Sequence, residues 1–220
     1  MRRLLPVFVL ILCSSIASSY DGYEEDNWPM YGRDLRHSFS NSNSRITPEN
    51  VSSLTLAWTF PTGDAVSASP TVVDGVVYVG SWDGFFYALQ ARTGKLRWTF
   101  QADCDTAIIP VPVVCGGPLP SQDPNRFFSD GGVITSSAAV VDGKVYFAAG
   151  KTIYSLSAAD GSLRWKRVIC GNPDVPNCAS DVNDPIKIFS SPAVFGRLCI
   201  YWIHSGRQRW LPGWIHGARC

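Results

Sequence analysis

The stretch from Thr71 to Phe100, TVVDGVVYVGSWDGFFYALQARTGKLRWTF, decides the fold because its pattern occurs twice in the chain. The second copy, AVVDGKVYFAAGKTIYSLSAADGSLRWKR, runs from Ala139 to Arg167 and is one residue shorter. The corresponding residues are Asp74 and Asp142, Gly75 and Gly143, Gly94 and Gly161, and Trp98 and Trp165. Self-similarity at a period of tens of residues is typical of a repeat architecture.

Each copy has the pattern of consecutive antiparallel strands. Residues 76–79 are β-branched or aromatic, which suits a pleated and half-buried surface. Asp-Gly between two such runs predicts a type I′ hairpin turn, in which both central residues need a positive φ. A small four-stranded sheet cannot bury its faces alone, so the units must pack side by side. We therefore predict an all-β fold, a β-propeller with blades of four antiparallel strands.

A short motif follows the third strand of each copy. The first copy carries it at Ala88, Thr93, Gly94 and Trp98, and the second copy retains Gly161 and Trp165 but departs at Ser155, Ser157 and Asp160. The motif resembles the tryptophan-docking motif, A-x-D/N-x-x-T-G-x-x-x-W, of the pyrroloquinoline-quinone (PQQ) repeat. That repeat occurs in quinoprotein alcohol dehydrogenases and in a propeller of the outer-membrane assembly machinery. The resemblance implies that each tryptophan clamps its blade against the next, and that a full ring has about eight blades.

The segment before the first copy also resembles the N-terminal part of quinoprotein dehydrogenases. The matching residues are Trp28, Gly32, Ile46, Pro48, Asn50, Val51, Leu54, Ala57 and Trp58. Residues 58–60 repeat residues 98–100, so Leu56 to Phe60 predicts a first closing strand. We predict a leading segment with this strand over residues 20–63 and propeller blades over residues 64–194. Only about three and a half blades can be counted, so the propeller is predicted to be incomplete.

The first 19 residues have the features of a secretory signal peptide. Met1-Arg2-Arg3 is basic, residues 4–12 form an apolar run too short to span a bilayer, and small residues precede a cleavage site after Ser19. This predicts an exported protein without a transmembrane segment. The net charge of +1 gives no electrostatic basis for binding nucleic acid.

Export changes the interpretation of the cysteines, because disulfides persist in oxidising compartments. Cys104 and Cys115 enclose a proline-rich loop, and Cys170 and Cys178 enclose the loop GNPDVPN. Local pairing of Cys104 with Cys115 and of Cys170 with Cys178 is the prediction, although spacing alone does not fix connectivity. The first pair lies in a Pro/Gly-rich insert at about residues 102–132.

The resemblance implies PQQ and calcium as cofactors and an alcohol as substrate. The dehydrogenases commonly place a Glu three residues before the proline of the first clear blade, and this chain has Ser67 there, counted back from Pro70. They also often use two adjacent cysteines to contact the quinone, and this chain has no adjacent pair. We therefore expect no tight binding of PQQ and calcium by this chain, and no catalytic residue can be assigned.

Two hypotheses about function remain. One is an incomplete chain related to the quinoprotein alcohol dehydrogenases, at most a PQQ-dependent oxidoreductase of alcohols, whose own activity stays open. The other is a non-catalytic exported propeller that acts as a scaffold and binds a protein or a polymer.

The composition changes abruptly after about Phe195. Residues 195–220 hold three of the eight Trp, two of the three His and no Asp or Glu. Removing one nucleotide from the codon for Phe195 permits a frame that encodes LDGFVYIG, which continues the repeat after SSPAV. We therefore predict an aberrant, frameshifted tail that cannot complete a blade; a divergent but genuine tail is the alternative.

Overall fold

The computed structural model describes residues 26–102, 133–169 and 186–195, together with the backbone of three short strands between 198 and 219. Its first repeat is a four-stranded antiparallel sheet. The strands are β1 (Thr71–Val73), β2 (Val76–Gly80), β3 (Phe85–Gln90) and β4 (Leu96–Gln101), and they pair in that order. Each strand is joined to the next by a tight turn, so the sheet is a meander of consecutive hairpins.

The second repeat forms a sheet of the same design. Its strands are β5 (Ala139–Val141), β6 (Lys144–Ala149), β7 (Thr152–Ser157) and β8 (Leu163–Val168), again in sequential order. The ladder between the third and fourth strands shifts register at the same place in both sheets, after Ala88 and after Ser155. These two sheets confirm the predicted all-β class and its four-stranded antiparallel units.

The Asp-Gly pairs turn the chain between the first and second strands. φ is +50° at Asp74 and +72° at Gly75, and it is +50° at Asp142 and +68° at Gly143. Positive φ at both central residues is the geometry of a type I′ turn, whose twist matches that of the flanking strands. The local sequence therefore sets the register of each hairpin.

Five further strands lie towards the C-terminus. They are β9 (Ile186–Lys187), β10 (Ala193–Phe195), β11 (Leu198–Ile200), β12 (His204–Ser205) and β13 (Ala218–Arg219). β10, β11 and β13 form a three-stranded sheet in that order, and β9 pairs with β12. Among the described residues, the third sheet thus has one strand fewer than the first two.

The two complete sheets pack face to face through aromatic side chains. The rings of Phe86 and Phe147 stack with centroids 4.3 Å apart, and Phe147 stacks on Tyr154 at 5.1 Å. All three side chains are fully buried. Gly80 makes room in this core for Ile134, because a Cβ at position 80 would overlap the Ile134 side chain. Neither sheet could bury these faces in isolation, which explains why the units are found side by side.

The leading segment crosses the start of both sheets. Trp28 forms an isolated antiparallel bridge with Val72 of β1, and the carbonyl of Pro29 accepts a hydrogen bond of 2.8 Å from the N–H of Val140 in β5. Just before them, the Asn27 side chain donates to Oδ1 of Asp74 in the β1–β2 turn and accepts from the N–H of Asp74. The segment therefore ties the innermost edges of the two sheets together.

Leu56 to Phe60 was expected to be a closing strand, and the structure assigns no strand there. A strand requires a paired neighbour, and no described residue pairs with this segment. The one helical element of the described residues is a 3₁₀ turn at Val51–Ser53. No described helix has the length and apolar character needed to cross a membrane.

Candidate functional site at the inner ends of the sheets

Three equivalent segments converge where the sheets begin. They contribute Ser67 and Ser69 before β1, Thr135 and Ser137 before β5, and Phe189 and Ser191 before β10. Together with Met30, Tyr31 and His37 of the leading segment, they line a pocket of about 470 Å³, which we call the inner pocket. Its described lining carries hydroxyl, imidazole, aromatic and aliphatic groups, and it contains no carboxylate.

The serines of the inner pocket are linked from one sheet to the next. The backbone N–H of Ser69 donates to Oγ of Ser137 at 2.9 Å. The backbone N–H of Ser137 in turn donates to Oγ of Ser191 at 3.0 Å. The three serines occupy the same position in successive repeats, and Ser137 and Ser191 each satisfy the backbone N–H of the serine before them. We call this chain of contacts the serine relay.

Ser67 stands where the resemblance led us to look for a glutamate, and its hydroxyl is already engaged. Nε1 of Trp82 donates to Oγ of Ser67 at 2.7 Å. A hydroxyl in this position can accept or donate one hydrogen bond but offers no negative charge to a metal ion.

The carboxylate closest in sequence to Trp82 belongs to a separate buried network. Asp83 is 2% exposed and accepts hydrogen bonds from the N–H of Gly63 at 2.7 Å, the N–H of Phe85 at 2.8 Å and the hydroxyl of Tyr87 at 2.6 Å. Burial, followed by the hydrogen bond to Asp83, raises the pKa of Tyr87 above its ordinary value. These three hydrogen bonds hold the Asp83 side chain in place. Through the N–H of Gly63, they connect the leading segment to the β2–β3 turn.

Aromatic rings of the leading segment lie beside the inner pocket: Tyr31 and His37 line it, and Phe39 lines the neighbouring pocket. Tyr31, His37 and Phe39 contact each other edge to face, with centroids between 5.3 and 6.2 Å apart. Tyr31 and Ser69 also line a neighbouring pocket of about 440 Å³ that contains Asp26. The described surface here combines exposed aromatic rings with hydroxyl groups. Its one carboxylate, that of Asp26, lines the neighbouring pocket.

The predicted blade-docking residues lie away from the pocket, between neighbouring sheets. Nε1 of Trp98 donates to the carbonyl of Ala158 at 3.0 Å, in the β7–β8 turn of the second sheet. The indole lies on Gly161, where a Cβ would come within 2.6 Å of Cε3. Gly161 also has a φ of +74°. Glycine therefore suits this position in two ways: it adopts the positive φ of the turn, and its lack of a side chain leaves space for the indole.

Trp58 makes the same contacts one sheet earlier. Its Nε1 donates to the carbonyl of Ala91 at 2.8 Å, and a Cβ at Gly94 would lie 2.6 Å from its ring. Trp165 of the second copy is half-buried and lies 6.1 Å from the ring of Tyr146, as Trp98 lies 5.9 Å from Tyr78.

The remaining motif residues lie beside these contacts or outside the described residues. Ala88 is fully buried and pairs with Trp98 across the β3–β4 ladder, and Oγ1 of Thr93 donates to Oε1 of Gln90 at 2.6 Å. Cys104, Cys115, Cys170 and Cys178 lie outside the described residues, as does nearly all of the insert at 102–132. No group of three or more His, Cys, Asp or Glu in the described part of the chain could hold a metal ion.

The repeats match a known family. Residues 28–126 match the family model described as PQQ, the β-propeller domain of glucose, ethanol and alcohol dehydrogenases. Residues 28–126 are a PQQ-type β-propeller segment. This PQQ-propeller chain is 30% identical over 156 residues to the dehydrogenase subunit of the quinone alcohol dehydrogenase of Gluconobacter oxydans (strain 621H), which covers 69% of this chain and 18% of that protein.

Two further relatives are similar over more of the PQQ-propeller chain. The 1-butanol dehydrogenase (cytochrome c) of Thauera butanivorans is 28% identical over 197 residues, 88% of this chain and 24% of that protein. The lanthanide-dependent methanol dehydrogenase of Methylorubrum extorquens is 29% identical over 177 residues, 76% of this chain and 27% of that protein. The chain therefore spans about a quarter or less of the length of these relatives.

Solved structures agree on the fold. The quinohemoprotein alcohol dehydrogenase of Comamonas testosteroni superposes with a TM-score of 0.57 at 26% identity, over 81% of this chain and 23% of that chain. A europium-containing methanol dehydrogenase superposes with a TM-score of 0.60 at 23% identity, over 84% and 28% of the two chains.

Proposed function

We propose that this chain supplies blades of an exported PQQ-type propeller related to the alcohol dehydrogenases, and that by itself it does not oxidise alcohols. The observation that carries the proposal is the lining of the inner pocket. Dehydrogenases of this family need carboxylates to hold a calcium ion beside the quinone, and the described lining has none. Ser67 offers a neutral hydroxyl that is bonded to Trp82.

The cofactors implied by the relatives do not fit the described donor set. Calcium and lanthanide ions take several oxygen ligands, of which carboxylates supply the charge. Asp83 is buried and its oxygens already accept three hydrogen bonds, and Asp26 lies in the neighbouring pocket. No step of alcohol oxidation is therefore assigned to these residues.

Calorimetric titration of the chain with PQQ in the presence of Ca²⁺, and separately of La³⁺, tests the proposal. We expect no binding tighter than about 1 μM and no dye-linked oxidation of ethanol or 1-butanol. Ser67→Glu restores the missing carboxylate and Ser67→Ala is its matched control, so any gain in metal affinity should occur with the glutamate alone. Micromolar or tighter binding by the unmodified chain would contradict the proposal.

A scaffold function is the second candidate, and the aromatic rings beside the inner pocket favour it. Tyr31 and Phe39 are exposed beside the hydroxyl-lined surface, and aromatic side chains are enriched where proteins bind other molecules. This arrangement suits a neutral polymer or a protein segment. Binding that leaves no product, measured by calorimetry with a panel of polysaccharides and denatured proteins, distinguishes a scaffold from an enzyme.

Export is part of the proposal and rests on residues 1–19. We expect the mature protein to begin after Ser19, which N-terminal sequencing of the secreted product measures. In that product, peptide mapping without reduction should find Cys104 linked to Cys115 and Cys170 linked to Cys178. Free thiols or crossed pairing would show that the loops are not closed locally.

The frameshift proposal for residues 195–220 is tested by the coding nucleotides alone. A neighbouring frame that continues the repeat beyond Val194 supports it. Neighbouring frames without the pattern would identify the tail as genuine.

A further inference from the structure

The neighbouring pocket combines aromatic rings with a carboxylate. The side chains of Trp28, Tyr31 and Phe39 line its volume of about 440 Å³ together with that of Asp26. The rest of its described lining is uncharged and consists of Gly32, Ser69, Pro70 and Val72. The one formal charge on the described walls is therefore negative. A pocket with this lining suits a cation that also has apolar surface.

Two of the rings stand beside each other at nearly a right angle. The centroids of Tyr31 and Phe39 are 5.3 Å apart, with an interplanar angle of 87°. Trp28 is held on β1, because its N–H donates to the carbonyl of Val72 at 2.6 Å and its carbonyl accepts from the N–H of Val72 at 3.0 Å. Rings that served packing alone would be covered, whereas Tyr31 and Phe39 are 41% and 56% exposed. Both rings therefore have surface available to a ligand.

The loop between these two rings is stiffened by its own hydrogen bonds. The N–H of Phe39 donates to the carbonyl of Gly32 at 3.1 Å and closes the loop. Within it, Oδ1 of Asp34 accepts from the N–H of Arg36 at 2.9 Å and from the N–H of Ser38 at 3.1 Å. Phe39 has a φ of +49°, a left-handed conformation that is uncommon for a bulky residue and that clusters at ligand sites. The ring positions are thus set in advance, which lowers the entropic cost of binding.

These features together select the class of ligand. The faces of aromatic rings are negative and attract ammonium groups, and aromatic cages are the usual sites for quaternary ammonium ions. The Asp26 carboxylate adds a Coulombic attraction for the same charge. A calcium ion fits less well, because it takes about six to eight oxygen ligands. We propose that the neighbouring pocket binds a small quaternary ammonium ion. The proposal does not depend on whether PQQ binds in the inner pocket.

Calorimetric titration of the chain with choline, at constant ionic strength, tests this proposal. The control ligand is 3,3-dimethyl-1-butanol, which has the shape and the hydroxyl group of choline but a carbon atom in place of the charged nitrogen. Asp26→Asn removes the charge of the carboxylate and keeps its size, and Phe39→Leu removes one ring. Asp142→Asn is the matched control variant: it removes the same charge from the second sheet, at a turn whose positive φ asparagine tolerates.

We expect saturable binding of choline with a Kd below about 1 mM, and binding of the neutral alcohol that is weaker by at least about tenfold. Asp26→Asn should weaken choline binding by at least about fivefold and Phe39→Leu by at least about threefold. Asp142→Asn should change it by less than about twofold, because solvent and salt screen a distant charge. Absence of saturable binding up to about 10 mM choline would overturn the proposal. Equal affinities for choline and the alcohol, or equal effects of the two asparagine variants, would overturn it as well.

Discussion

Replacing Gly161 by alanine should weaken the contact that Trp98 of the first sheet makes with the second sheet. A Cβ at this position would lie 2.6 Å from the ring of Trp98, so the indole must move and its hydrogen bond to Ala158 is lost. A net hydrogen bond contributes about 1 kcal/mol, and forced overpacking costs about 1–3 kcal/mol. Alanine at a positive φ adds a further cost of about 1–2 kcal/mol.

Gly143→Ala is a matched control, because Gly143 also has a positive φ, +68° against +74°, but has no atom within 4 Å of an added Cβ. Urea unfolding followed by far-ultraviolet circular dichroism should give Gly161→Ala a loss about 2–4 kcal/mol larger than that of Gly143→Ala. In a Trp98→Ala background the excess should vanish. Equal losses for the two glycine variants would refute the inference that Gly161 and Trp98 form the contact between the sheets.

Two other perturbations report on single contacts. Gly80→Ala should lower the free energy of unfolding by about 1–3 kcal/mol, because the new methyl group overlaps the Ile134 side chain. Combining it with Ile134→Ala should restore most of that loss in the same urea unfolding experiment. If the double variant recovers nothing, the overlap with Ile134 is not the cause of the destabilisation. Burial and Asp83 raise the pKa of Tyr87, so its contribution to stability is complete below the unfolded pKa of about 10 and is lost as the pH rises through the folded pKa. Tyr87→Phe should therefore reduce the fall in unfolding free energy between about pH 9 and 12, and parallel pH profiles for the two proteins would argue against a coupled phenol.

The sheets could be predicted from sequence because the first hairpin of each one has a strong local turn signal. Asp74-Gly75 and Asp142-Gly143 specify turns that only one strand register fits, and β-branched residues flank them. These signals depend on a few neighbouring residues, so they can be interpreted without the rest of the chain.

Contacts between repeats were less accessible to sequence reasoning. Leu56 to Phe60 has the residues of a closing strand, and Trp58 makes the contacts of one. A strand, however, forms only where a neighbouring strand pairs with it. The serine relay was not predicted from the sequence either, although Ser69, Ser137 and Ser191 occupy matching positions in the repeats. Serine is common in loops, and nothing in its local sequence reveals that its hydroxyl accepts a hydrogen bond from the backbone of the preceding repeat.

The serine relay gives two successive junctions between repeats the same hydrogen bond. Ser137 and Ser191 each offer the same hydroxyl to the repeat before them, so this one contact would re-form without a compensating substitution if a repeat carrying the serine were lost or duplicated. A gene built this way can grow or shrink by whole blades, and this innermost contact of the propeller re-forms across each new boundary.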